Sequence, residues 1–331
     1  MMVAAVIFLF TFSFQQLIFA SPQDPDGLEN DTEESTETPQ KKPTTPAQSP
    51  EKRKEALSLL KHRILYSAST DRRNAIRDLR RIDKNDQPPF FDDLVLIIKT
   101  DSDATVREAA MRFLAEEQID TKAAKEAYIA GLDDAERNVQ IEALKGIRRI
   151  KLKEAGDKLV KLVSESSFNE NDAVVHSAIR TLGTLEYQSE SLSKTFIDAL
   201  DKPETEMETR RSIILYLGAV RTDSPALSTK LNSIATDSTA DLVMRSYSAN
   251  ALGKMAAKDS PNSQAGTNRT SYIKSMQDIL REIKDIKDAR QRSKMNMLKQ
   301  QAILALIRMG DDSVKPELQS AAQDDDANTS Y

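Results

Sequence analysis

The sequence contains no cysteine, no tryptophan and only two histidines, His62 and His176. Without thiols there are no disulfides, no thiol catalysis, no thiolate metal sites and no lipid-modified N-terminal cysteine. Two widely separated histidines exclude a His-rich metal site. Aromatic residues make up only 5% of the chain, whereas charged residues make up 30%. That balance suits exposed helices joined by thin aliphatic seams. The net charge of −5 is mild, and without a concentrated basic footprint nucleic acid is not an expected partner. No nucleophile motif, Gly-rich phosphate loop or paired-carboxylate spacing stands out from the Asp/Glu background. The expectation is a protein with no catalytic set, no cofactor and no bound metal.

Residues 1–20 read MMVAAVIFLFTFSFQQLIFA. The apolar run Met1–Phe14 and the small Ala20 predict a secretory signal. No Lys or Arg precedes the run, and Ile18 is bulky where a small residue is usual. An uncleaved N-terminal anchor, a possible membrane tether, is therefore the alternative. Either would export the remainder, giving a periplasmic or secreted protein. Residues 21–50 alternate Pro with Asp, Glu, Thr and Gln, and Leu28 is their only large aliphatic residue. Such a segment buries too little apolar surface to offset its ordering entropy, so it is predicted to be a disordered linker. Residues 323–331, with Asp324–Asp326, are predicted to be a disordered tail.

From Glu51 the periodicity becomes helical. With Val174 as position 0 of VVHSAIRTLGTL, positions 4, 8, 9 and 11 are Ala178, Leu182, Gly183 and Leu185. The same pattern recurs with position 8 at residues 79, 114, 147, 182, 217, 252 and 306. Successive spacings are 35, 33, 35, 35, 35 and 54. A chain of 331 residues would ordinarily split into about two domains. A near-constant period instead marks a repeat array that grows lengthwise. Positions 0, 4, 8 and 11 share one helical stripe. A second apolar helix lies between successive copies, as at Phe90–Lys99, Thr121–Ala130, Lys153–Val163, Leu192–Leu200 and Pro225–Ala235. Asp-containing turns separate the two, so each unit is an αα-hairpin.

These units, with a second helix running V-R-x-x-A-x-x-x-L, resemble HEAT repeats over residues 53–322. The matches include Val106-Arg107 with Ala110 and Leu114, and Met244-Arg245 with Leu252-Gly253. The period also resembles the tetratricopeptide repeat, but that family's Trp, Gly and Tyr signature and closing Pro are absent. With its leader and its Lys/Asn/Gln-rich composition, the chain is similar to exported HEAT-repeat proteins of bacteria. The resemblance implies an all-α fold, an α-solenoid of about seven helix pairs spanning 51–322, with second helices lining the concave side. It also implies a scaffold or adaptor that binds proteins or peptides. A structural component of a large envelope or motility assembly, and a HEAT-like enzyme accessory or lyase, are the other readings.

Three features depart from simple repetition. Position 6 reads Arg77, Arg112, Lys145 and Arg180, then Leu215, Asn250 and Leu304. Arg73, Arg81 and Arg149 fall near the same side, so a basic strip is expected along the N-terminal half of the inner face, suited to an acidic protein or peptide. The competing reading is an ordinary solvated charged face. The 54-residue gap predicts an insertion at about 257–272, with Lys258–Thr270 as a Ser/Pro/Asn/Gly-rich loop before an extended first helix. Basic residues at position 1 (Arg72, Arg107, Arg210, Arg245, Lys299) and polar residues at position −3 (Asp103, Glu136, Asn171, Glu206, Asp241) are expected to serve as caps and inter-repeat ion pairs. His176, at position 2, and His62 are read as surface residues.

Overall fold

The computed structural model describes residues 49–221, 224–258, 265–312 and 315. The expected signal, nearly all of the linker, the centre of the insertion and the tail lie outside those residues. The chain divides into units 1–53 and 54–331, and the repeats belong to the second. Among the described residues there is no strand, and no helix is long and apolar enough to cross a membrane.

The helices are α1 (Pro50–Tyr66), α2 (Ser69–Asp78), α3 (Phe91–Thr100), α4 (Ala104–Glu116), α5 (Lys122–Gly131), α6 (Arg137–Arg149), α7 (Gly156–Ser164) and α8 (Ala173–Thr184). They continue as α9 (Glu190–Asp201), α10 (Met207–Val220), α11 (Pro225–Thr236), α12 (Leu242–Met255), α13 (Ala265–Asp285), α14 (Ala289–Lys294) and α15 (Asn296–Met309). The second helices α2, α4, α6, α8, α10, α12 and α15 each pack on the next, forming one continuous layer. Behind them the first helices form another layer, with α3 on α5, α7 on α9, α9 on α11 and α11 on α13. Two stacked helical layers make this an all-α, HEAT-like solenoid.

The apolar stripe is the seam of the array. Leu79, Leu114, Ile147, Leu182, Leu217, Leu252 and Leu306 are each 0% exposed, as is every position-4 residue from Ala75 to Ala302. Except for Ile213, position 4 is Ala or Ser, whose small size lets neighbouring helices approach, and the position-8 side chains fill the space between layers.

Position −3 caps three of the second helices, whereas Glu136 stands at its helix start without a side-chain cap bond. Asp103 accepts from the Thr105 N–H at 2.9 Å, Glu206 from Thr209 at 3.0 Å and Asp241 from Val243 at 3.0 Å. In the fourth unit the cap is Asp172 rather than Asn171, accepting from Val174 at 2.9 Å. Arg210 departs from the expected ladder by donating to the Thr205 and Lys202 carbonyls. Where ion pairs form, the ladder uses a different acid from the one expected. Arg72 reaches Asp101 at 2.8 Å, and Arg107 clasps both oxygens of Asp134 at 2.8 Å. These acids lie two residues before the caps, in the turn of the following repeat. The paired bonds hold the Asp134 carboxyl below the usual carboxylate range.

After the second helices, Gln118, Lys151, Glu186, Arg221 and Gly310 take a left-handed conformation, with φ of 53°, 53°, 50°, 51° and 78°. All five fall at position 12. In four of these units the next N–H returns to the position-8 carbonyl: Ile119 to Leu114, Leu152 to Ile147, Tyr187 to Leu182 and Asp311 to Leu306, at 2.9–3.0 Å. This is the Schellman closure. Four of the five positions are not glycine, so the motif carries no composition signal.

Two further expectations need correction. Residues 265–272 are helical, so the loop is shorter than Lys258–Thr270. Extra length lies instead in the 21-residue α13 and the 6-residue α14 placed before α15. His176 is buried, because at position 2 it faces α10, where its Nε2 meets the Thr209 hydroxyl at 2.9 Å and Glu206 at 3.5 Å. The polar Thr209, which interrupts the apolar pattern at position 0, is therefore the partner of this histidine.

Burial pushes the His176 pKa below its usual value near 6.5, and Glu206 only partly opposes it. The folded state holds the ring neutral while the unfolded chain protonates it. Its contribution is therefore complete above about pH 6.5 and is lost as pH falls below that value. Between about pH 7.5 and about pH 5, the wild-type unfolding midpoint should drop more than that of His176→Gln. Equal drops would remove His176 from the acid response.

Candidate functional site

Position 6 faces away from the first-helix layer, on the surface of the second helices. There α2 and α4 are separated by a cleft of about 320 Å³. Its charged lining is Arg73, Arg77, Arg80 and Arg112 against the single carboxylate Glu108. Ile76 and Ala109 form part of its apolar lining, and Asn74 and Thr105 add polar groups.

The helical repeat explains this convergence. Arg73, Arg77 and Arg80 are spaced four and three apart, so they occupy one stripe of α2 and the turn that extends it. Glu108 and Arg112 are four apart on α4 and form an ion pair there. Arg112 also donates to Glu142 of α6 at 3.0 Å, and Lys145 reaches the same carboxylate oxygen at 3.1 Å. Glu142 is 4% exposed, so these two cations serve to compensate a buried acid. Arg80 pairs with Glu116, and its guanidinium lies 5.9 Å from the centre of the Phe113 ring. Arg77 donates only to the neutral Asn74. Neither Arg73 nor Arg77 forms an ion pair among the described residues. Among the described residues the cleft thus presents two exposed guanidiniums outside ion-pair distance of any carboxylate, Arg73 acting on Asp103 only through its field, beside two whose charge is shared. Guanidinium forks match carboxylates in bidentate geometry.

Of the seven basic residues singled out in the sequence, Arg73, Arg77 and Arg112 meet in this cleft. Arg81 lies outside its lining and pairs with Asp78 at 3.1 Å. Lys145 is engaged with Glu142. Arg149 is exposed and acts on buried Tyr128 only through its field. Arg180 is partly buried on α8 and does not line the cleft. Glu108 and Glu142 interleave with these bases, so the expected strip is concentrated at its first end. Sequence reasoning missed Arg80 because position 9 is elsewhere mostly small or apolar. The spacing of Arg80 from Arg77 was the available signal.

No family model matches the sequence, and no curated protein matches it. Among solved structures the chain is similar to an engineered protein at 18% identity, covering 66% of this chain and 96% of that one, with a TM-score of 0.43. It is also similar to the karyopherin Kap121p in two crystal structures. One is a multiply substituted form, at 16% identity and a TM-score of 0.49. The other is bound to the extreme C-terminus of the protein phosphatase Cdc14p, at 14% identity and a TM-score of 0.47. Each of these covers 81% of this chain and 31% of Kap121p. The all-α assignment itself rests on the helices described above.

Proposed function

We propose that this chain is a non-catalytic, exported α-solenoid scaffold that captures an acidic protein segment on its second-helix face. The observation that carries the reading is the cleft with Arg73 and Arg77 unpaired beside Arg80 and Arg112. Cations gathered in a concave site raise the local concentration of an acidic ligand and speed its association. Export, to a periplasm or beyond the cell, is supported by the apolar run Met1–Phe14 ahead of Ala20.

The test is binding of a fluorescein-labelled octaglutamate peptide to the full chain at low and physiological salt. Arg73→Glu with Arg77→Glu removes the two unpaired charges and breaks no ion pair, so the fold should be unchanged by circular dichroism. Affinity at low salt should fall at least about tenfold, a size consistent with losing close charge pairs. The wild-type affinity should weaken as salt rises. Binding that is unchanged by the double reversal would overturn the proposal. Replacing Arg112 is a poorer test, because it strands buried Glu142.

A further inference from the structure

The second-helix face loses its charge at position 6 in the last three repeats, where Leu215, Asn250 and Leu304 stand. Charge returns one helical turn later, at position 10, as Lys254 of α12 and Arg308 of α15. Asn250 and Lys254 are four apart on one helix, and Gln301, Leu304 and Arg308 are spaced three and four apart on its neighbour. The two stripes therefore run side by side.

The hydrogen bonds between them fix the directions of the Asn250 and Gln301 amides. Arg308 has no acceptor, so the 2.9 Å contact from its Nη1 identifies the Asn250 atom it meets as Oδ1. The Asn250 amide then points its Nδ2 at Gln301 and donates to Oε1 at 2.5 Å. That orients Gln301 with its own Nε2 turned away, and no partner for it exists among the described residues. Lys254 likewise has no ion pair or hydrogen bond among the described residues. Its stem runs past Gly218 of α10, where a β-carbon would lie 3.7 Å from its Cδ. Lys254 is partly buried, and the cations near enough to act on it are Arg308 and Arg221. Burial, followed by repulsion from these two, pushes its pKa down. Arg308 is pushed down by burial and by Arg221. Lys254 and Arg308 sit in last helical turns, where the helix dipole offsets some of this repulsion.

We infer that Lys254, Gln301 and Arg308 form a second anion-binding subsite, which takes a carboxylate of the acidic segment held by the arginine cleft. The shared partner rests on the function proposed above. From α4 to α12 is four helix steps of roughly 8–10 Å each. An extended segment rising about 3.4 Å per residue would need roughly ten residues to join the two ends. The partner is therefore an acidic segment long enough to touch both sites.

Reductive ¹³C-methylation of the full chain gives each lysine an NMR signal, and Lys254→Arg identifies the one that matters. A six-glutamate peptide should shift the Lys254 signal and raise its titration midpoint, both in the wild type and in the Arg73→Glu/Arg77→Glu variant. Six glutamines should leave it in place. A sixteen-glutamate peptide should bind several-fold more tightly than the six-residue one, and Lys254→Gln, which breaks no hydrogen bond, should erase that advantage. A Lys254 signal that ignores glutamate, or that responds equally to glutamine, overturns the subsite. If affinity falls on reversing Arg73 and Arg77 while Lys254 stays unmoved, the cleft stands and this inference fails. If Lys254 responds and the double reversal has no effect, the subsite stands and the cleft reading fails.

Discussion

Alanine at position 253 should destabilise the array by about 2 kcal/mol, while alanine at position 183 should leave it unchanged or slightly more stable. Both glycines occupy position 9 of their repeats, as does Gly218. What differs is how closely the next second helix approaches. A β-carbon at Gly253 would lie 2.5 Å from the Cα of Ala305 and 2.7 Å from its Cβ. At Gly218 the nearest atom is the Cα of Ala251 at 2.9 Å, and at Gly183 it is the Cα of Tyr216 at 3.4 Å. Every substitution gains about 1 kcal/mol from replacing glycine within a helix. At Gly183 the new methyl meets ordinary contact and that gain survives. At Gly253 it meets backbone, which cannot rotate aside, so α12 and α15 must separate. Overpacking of this kind costs typically 1–3 kcal/mol and sometimes more. Gly218→Ala should fall between the two. Chemical denaturation of the three variants measures the order, and a uniform effect would mean that helix spacing does not set it.

The contrast shows how far the repeat could be read from the chain. Periodicity placed Leu79 through Leu306 in the seam because apolar spacing is a direct record of burial. It also marked Gly183, Gly218 and Gly253 as one class. Interhelical distance is set by the summed packing of two helices, and no single position reports it. The ladder acids were misplaced for a related reason. Asp101 and Asp103 are both acidic turn residues, and only the path of the chain decides which caps and which reaches back to Arg72. His176 looked exposed at position 2 because its partner, Thr209, lies 33 residues away and appeared only as a defect in the apolar pattern. The left-handed residue at position 12 gave no signal, since Gln118, Lys151, Glu186 and Arg221 accept that conformation without glycine's help.

The candidate site was legible in part. Arg73, Arg77 and Arg112 were visible as residues off the apolar stripe. The sequence did not reveal which bases would be consumed by buried acids, because Glu142 looks like any surface glutamate until α4 and α6 are packed together. Once that pairing is known, the cleft at one end and Lys254 with Arg308 toward the other stand out from the bases consumed by acids.

Removing the Arg245 side chain should cost about 3 kcal/mol, more than neutralising its partner. Arg245 is 3% exposed on α12. Its Nε donates to the Ala235 carbonyl at 3.1 Å, and Nη1 and Nη2 reach the two oxygens of Glu282 on α13 at 3.3 and 2.9 Å. Position 1 was expected to carry a repeat-to-repeat ion pair, and here the acid comes from the lengthened helix of the insertion. The pair is one-sided, the Glu282 side chain being 40% exposed and the guanidinium buried. Glu282→Gln removes a counter-charge but keeps a carbonyl oxygen as acceptor, and Asp237, on which Arg245 also acts, remains. Glu282→Gln should therefore cost about 1–2 kcal/mol, less than Arg245→Ala. Arg245→Ala strips packing from the seam and orphans a carbonyl of the buried Ala235, and Arg245→Met should recover part of the loss by restoring the apolar stem. In a stacked array such damage stays near its origin. Amide exchange in Arg245→Ala should quicken across α11, α13 and the first turns of α12, while α4 to α6 keep wild-type protection. If Glu282→Gln matched Arg245→Ala in both stability and exchange, the ion pair would be what anchors α13. The expected inequality identifies the buried guanidinium, held by the Ala235 carbonyl and its own packing, as that anchor.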